Sequence, residues 1–286
     1  MQVYQSPATC RDSTMVSRRT AVERVIRTMR ERLDEPLSMH DLARIAYISP
    51  FHFNRVFHQV TGLTPTRFLY AMRLNAAKRL LLTTSLSVTD VCFEVGYSSL
   101  GTFTTRFTQL IGLSPCRLRR LAEELTPDSL RRLCEHYSEA QREAARNPSV
   151  SGRVELPARF EGLVFVGLFP LHIPQSLPVA GCLLTGSGDY SLGRVADGAY
   201  HLLGAAIPKS DDPLDYMLPD GEKVLVGTGR GLVNVEAGRA GGATDIEMRA
   251  MGVTDPPLLV SLPFLLTRSL AGESRLPDSF RGPAGA

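Results

Sequence analysis

Side chains able to do covalent or metal chemistry are few in this chain, and badly spaced for it. Cys10, Cys92, Cys116, Cys134 and Cys182 are scattered, odd in number and lack C-x-x-C spacing, which supports neither a disulfide framework nor a zinc module and predicts buried free thiols. Cys134 and His136 lie two apart in a stretch rich in helix formers and so face different ways. Gly227-Thr228-Gly229-Arg230-Gly231 lacks the lysine and following helix of a phosphate loop, and no G-x-S-x-G or H-E-x-x-H string occurs. No catalytic residue, metal or cofactor is therefore expected. What remains is Asn54 beside Arg55, the residue types that pair bidentately with adenine and guanine edges.

The elements that carry this pair are set by an internal repeat. At an offset of 50, Ser49, Phe53, Phe57, Gln59, Gly62, Leu63 and Pro65 recur as Ser99, Phe103, Phe107, Gln109, Gly112, Leu113 and Pro115. Each copy parses as two helices around a tight turn. Ser38 with Asp41, and Ser87 with Asp90, form the start signal of the first helix. Ser49 and Ser99 start the second, with Pro50 at a first-turn position where its missing N–H costs nothing. Phe53, Val56, Phe57 and Val60 form one apolar face of that helix, and Phe103, Phe107 and Leu110 that of its counterpart. The opposite faces present His52, Asn54, Arg55, His58 and Gln59, or Gly101, Thr102, Thr104, Thr105 and Thr108. A helix over 18–33, with Val22, Val25, Ile26, Met29 and Leu33 inward, closes the first copy, and one over 65–83, carrying Arg73, Lys78 and Arg79, connects the two.

Charge follows the same division. Residues 1–125 hold 17 Lys and Arg against 10 Asp and Glu, whereas 126–286 hold 15 against 19. A basic first half points to a polyanion. A helix fits the major groove, and two on a stiff connector reach successive groove segments about 34 Å apart. Helix starts at Ser49 and Ser99, with surrounding basic side chains, suit phosphates.

The strings LARIAYISPFHFNRVFHQVTGLTPTRF, MRLNAAKRLL and VCFEVGYSSLGTFTTRFTQLIGLSP, within Val25–Leu121, resemble the DNA-binding domain of AraC/XylS-type transcription regulators. That resemblance implies base contacts from Phe51, Asn54 and Arg55 and from Gly101, Thr104 and Thr105. It implies phosphate contacts from Ser49 and Arg106 and from the connector's Arg73 and Lys78; Ser99 and His58 join them as a helix start and an exposed helix residue. Thr105 stands where relatives often carry a basic residue, so the second helix is expected to read thymine methyls and shape. DNA-repair methyltransferases with this module need a Pro-Cys-His setting; Pro115-Cys116-Arg117 has no such His, and Cys116 is expected to be structural.

The second half changes punctuation: 20 of the 24 glycines follow residue 150. VFVGLFPL, VAGCLL, YSLGRV, AYHLLGAAI, KVLVGTG, LVNVEA and LLVSL read as short strands, predicting a compact sandwich. DYSLGRVADGAYHLLGAAI resembles the strand, Asp-Gly turn, strand signature of carboxypeptidase-regulatory-like (transthyretin-like) domains. His172, Tyr190, Tyr200, His201 and Arg230 are amphipathic enough to line a pocket there, or to be strand surface.

The expected architecture is two-domain: an all-α double helix-turn-helix domain at 17–123, a helical linker at 127–147 with Leu130, Leu133, Tyr137 and Ala140 or Ala144 near helical spacing, and an all-β sandwich domain at 150–281. The expected function is a transcription regulator, with double-stranded DNA as its partner and RNA polymerase and a small-molecule effector as further ones. The alternative is a DNA-tethered protein-interaction module. Apolar runs are too short to span a membrane and the N-terminus lacks a signal peptide, so a cytoplasmic protein is expected.

Overall fold

A computed structural model describes residues 7–144, 146–219 and 223–270. The chain divides into two compact units. One comprises the described residues of Met1–Leu80 with Leu86–Phe103 and Gly252–Pro257; the other comprises Leu81–Ser85, Thr104–Met251 and the described residues of Leu258–Ala286.

The first unit is helical: α1 (Pro7–Glu31), α2 (Met39–Ala46), α3 (Pro50–Thr61), most of α4 (Pro65–Thr83), α5 (Val88–Glu94) and the start of α6 (Leu100–Ile111). Both expected start signals are complete capping boxes: Ser38 and Ser87 accept from the amides of Asp41 and Asp90, whose carboxylates accept in return from the serine amides. The Ser38 hydrogen bonds, side chain foremost, hold the Asp41 carboxyl below its ordinary pKa. Val22, Val25, Ile26 and Met29 of α1 are fully buried with Phe53, Val56 and Phe57 of α3. Phe57 meets Phe53 and Phe68 edge-on, each at 5.5 Å. Helix α1 begins 11 residues before the expected start at Arg18.

The second unit holds the rest of α6, then α7 (Pro115–Glu124) and α8 (Pro127–Ala144), then strands β1 (Pro148–Glu155), β2 (Gly162–Phe169), β3 (Ala180–Leu184), β4 (Gly188–Gly193) and β5 (Gly198–Pro208). After α9 (Pro213–Met217) come β6 (Leu225–Glu236), β7 (Arg239–Gly241), β8 (Ile246–Glu247), β9 (Arg249–Ala250) and α10 (Leu262–Leu270). The strands form a smaller sheet, β4-β1-β8, and a larger one, β3-β2-β5-β6-β7 with β9 also on β6. Pairing is antiparallel except between β1 and β8. Val150, Val154, Tyr190 and Leu192 of the smaller sheet share one core with Val164, Val166, Val233 and Val235 of the larger. Strands β4 and β5 belong to different sheets, so the Asp197-Gly198 turn is a corner rather than a hairpin; the Asp197 carboxylate accepts from the amides of Ala237 and Gly238.

Three expectations need correcting. The second half is not all-β: the larger sheet's other face is also apolar, through Phe165, Phe169, Leu203 and Ile207, and is covered by α8, Tyr216 of α9 and α10. The LLVSL run supplies no strand; it leads into α10. Helix α8, expected as a linker, packs on that sheet through Leu130 and Tyr137. It also blocks the β3 edge: the Tyr137 hydroxyl donates to the Gly181 carbonyl and the Gln141 carbonyl oxygen accepts from the Leu183 amide, each at 2.9 Å. The Ala140 and Ala144 side chains and residues 271–281 lie outside the described residues. No helix among the described residues is long and apolar enough to cross a membrane.

Candidate nucleic-acid interface

On α3, Phe51, Asn54, Arg55 and His58 are all exposed, and their spacing of three, four and seven residues puts them on one face. Phe51 is 87% exposed. Arg55 Nη2 lies 3.2 Å from His52 Nδ1, one turn back. Ser49 starts the helix with an extended backbone, but its side chain makes no capping hydrogen bond. Gly62 ends it at φ 74°.

The corresponding face of α6 holds Gly101, Thr104, Thr105 and Thr108. All are exposed except the half-buried Thr104, and Thr108 Oγ1 donates to the Thr104 carbonyl at 2.8 Å. A Cβ on Gly101 would meet nothing closer than Ser99 Oγ at 3.9 Å, so the surface above it is open. Ser99 is exposed, and its Oγ accepts from the Thr102 amide at 3.4 Å. Arg106 is half-buried. Phe103 and Phe107 are fully buried opposite this face.

Two expected phosphate contacts are withdrawn. Lys78 is fully buried, and desolvation, with a smaller contribution from Arg79, lowers its pKa to about 7. Arg73 is buried too, donating from Nε to the Leu33 carbonyl and from Nη2 to that of Glu35, both at 2.7 Å. Both are enclosed along with Leu74 and Ala77 of the same helix, which the apolar spacing alone did not reveal.

Tyr47 was not singled out from the sequence. It adopts the left-handed conformation at the end of α2, φ 59°, and is 84% exposed, with the Arg24 guanidinium 5.3 Å from its ring centre. Its counterpart Tyr97 is buried against Phe103, because Gly96 takes the left-handed position there. The Ala46/Gly96 mismatch in the repeat was the signal for this difference.

The remaining candidates separate. Cys92 and Cys182 are buried, Cys134 is half-buried and Cys116 is exposed at the start of α7, which corrects its structural reading; the Cys10 side chain lies outside the described residues. Burial raises the Cys134 thiol to about 11, while His136 is exposed with Nδ1 2.8 Å from the Arg132 carbonyl. Tyr190 is buried between the sheets with its hydroxyl on the Thr244 carbonyl. The His172 and His201 rings meet edge-on at 5.3 Å, Tyr200 is half-buried and Arg230 is exposed.

Two short helices around a tight turn, twice over, with a polar outward face on each second helix, define a helix-turn-helix domain. Residues 42–121 match the family described as a helix-turn-helix domain. Similar proteins include the bifunctional transcriptional activator/DNA repair enzyme AdaA of Bacillus subtilis, 32% identical over 89 residues, which are 31% of this chain and 42% of that protein. The HTH-type transcriptional regulator GlxA of Rhizobium meliloti is 35% identical over 98 residues, 34% of this chain and 30% of that protein. The matched stretch spans less than half the length of either relative. The DNA-binding domain of AdpA, a global transcriptional factor solved with a target DNA, is 31% identical over 36% of this chain and 95% of its own, with a TM-score of 0.35.

Proposed function

We propose that this chain is a sequence-specific DNA-binding transcription regulator of the AraC type, which places α3 and α6 in successive major-groove segments. The observation that carries this is the matched pair of outward helix faces, Phe51/Asn54/Arg55 and Gly101/Thr104/Thr105 with only Thr104 half-buried, each opposite buried phenylalanines at the same repeat positions. Asn54 and Arg55 supply bidentate hydrogen bonding to base edges. On α6 the open surface at Gly101 and the threonine methyls suit thymine methyls and groove shape. Ser49, His58, Ser99 and Arg106 remain as the phosphate set, fixing register. The C-terminal unit, read as a sandwich of the carboxypeptidase-regulatory-like kind, senses a small molecule, and RNA polymerase is the partner on which the bound regulator acts.

Selection of duplexes from a random pool with the purified full chain tests the reading. One asymmetric motif of about two helical turns supports it. Failure to enrich any motif contradicts it.

A further inference from the structure

The second unit contains a cavity of about 40 Å³ whose twelve lining residues are all apolar or glycine. Its floor is the outer face of the larger sheet, with Phe165, Phe169 and Leu203; its walls include Pro174 and, from α10, Leu262 and Leu265. Such a lining offers a water molecule few hydrogen-bonding partners. Between the lining residues Val260 and Leu262, Ser261, itself outside the lining, is fully buried and its Oγ has no hydrogen-bond partner among the described residues. Buried hydroxyls ordinarily find one.

The cavity walls lead directly to the end of recognition helix α6. The Val260 amide donates to the Pro174 carbonyl at 3.2 Å, and two residues on, the Ser176 amide donates at 2.7 Å to the carbonyl of Leu110, in the last turn of α6. On α10, between Leu262 and Leu265, Phe264 lies against Gly112, the residue just past α6. A Cβ there would come within 2.3 Å of the Phe264 ring. Size then decides what binding must do. An engineered apolar cavity that takes up benzene measures roughly 150 Å³, so a ring that enters this smaller space fully pushes a wall outward, and α10 is a wall.

We propose that this cavity is the site of a small, uncharged, mainly apolar molecule carrying one hydrogen-bonding group, and that its entry displaces α10 and loosens the Phe264 contact at the end of α6. The proposal rests on the reading of the C-terminal unit as a sensor. Occupancy would then change how firmly α6 is held, and through it the affinity for DNA.

Benzene and phenol serve as probes on the full chain, with melting temperature and calorimetric titration as the binding readouts. Both should stabilise the wild type saturably and bind more tightly to Leu262→Ala, whereas Ala205→Leu, which fills the cavity, should lose the effect. Phenol should bind more tightly than benzene, and Ser261→Ala should remove that advantage. Saturating phenol should change the affinity for the selected duplex by at least about fivefold in the wild type. It should leave Phe264→Ala unchanged in DNA affinity while still binding there. Absence of binding in both wild type and Leu262→Ala overturns the proposal, as does binding that leaves DNA affinity unaltered. Thermal and calorimetric binding needs no DNA, so failure of the DNA-binding reading would be seen separately. A different small molecule that stabilises Ala205→Leu as well as the wild type would keep the sensor and remove this site.

Discussion

The carbonyl oxygen of Leu33 accepts from Nε of Arg73 at 2.7 Å. It closes the turn after α1 onto the connector helix, with the Glu35 carbonyl taking a second bond from the same guanidinium. A buried cation satisfied by backbone carbonyls is a structural fastening. Arg73→Met should therefore destabilise the full chain by about 2 to 3 kcal/mol in urea unfolding. The salt slope of DNA affinity should stay as in the wild type; a slope lower by about one would reinstate Arg73 as a phosphate contact.

The same carbonyl leaves no room beside it. Gly96 has φ +80°, and a Cβ there would lie 2.6 Å from Leu33 O and 2.9 Å from the Asp34 backbone. Backbone atoms cannot swing aside as a long side chain can. Gly96→Ala should cost about 2 to 4 kcal/mol, combining left-handed strain with the clash. An unfolding midpoint equal to that of the wild type would contradict this packing.

Burial of Lys78 predicts a pH dependence. Its pKa falls from 10.5 to about 7 on folding. Between those values the unfolded chain holds a proton that the folded chain lacks, so stability rises with pH, by at most about 1.4 kcal/mol per unit. Below pH 7 the contribution is constant. The thiols of buried Cys92 and Cys182 and half-buried Cys134, all shifted upward, act with the opposite sign only near and above pH 9. Urea unfolding from pH 7 to 9 should show the rise in the wild type and a flatter profile in Lys78→Met; identical profiles would refute it.

Arg55 is expected to read a base. Arg55→Ala should lose about 1 to 3 kcal/mol on the selected duplex and relax the preference at one base pair. Competition titrations against single-base variants measure this. Equal loss on every sequence would move Arg55 to the phosphate set.

Features written in local chemistry were legible before the structure. Ser38 with Asp41, Ser87 with Asp90, and Pro50 after Ser49 specify helix starts through hydrogen bonds only a few residues long. The alternation of Phe53 and Phe57 with Asn54 and Arg55 fixed which face of α3 turns outward. What escaped depended on partners distant in the chain. Arg73 and Lys78 carry charge, which predicts solvent, yet tertiary packing encloses them. Helix α8 shows charged residues in most of its turns, and only the two-sheet arrangement reveals that Leu130 and Tyr137 have an apolar face to cover. The same holds for LLVSL, whose β-like composition is overridden by a helix start at Ser261.

On the proposed function, these paired faces bind duplex DNA by sequence. The most direct test is the equilibrium affinity of the full chain for the selected duplex and for a shuffled duplex of equal length, across a salt series. Preference for the selected duplex should be on the order of a thousandfold or more, and log affinity should fall linearly with log salt on both. Equal affinity for the two duplexes, or a flat salt response, would contradict it.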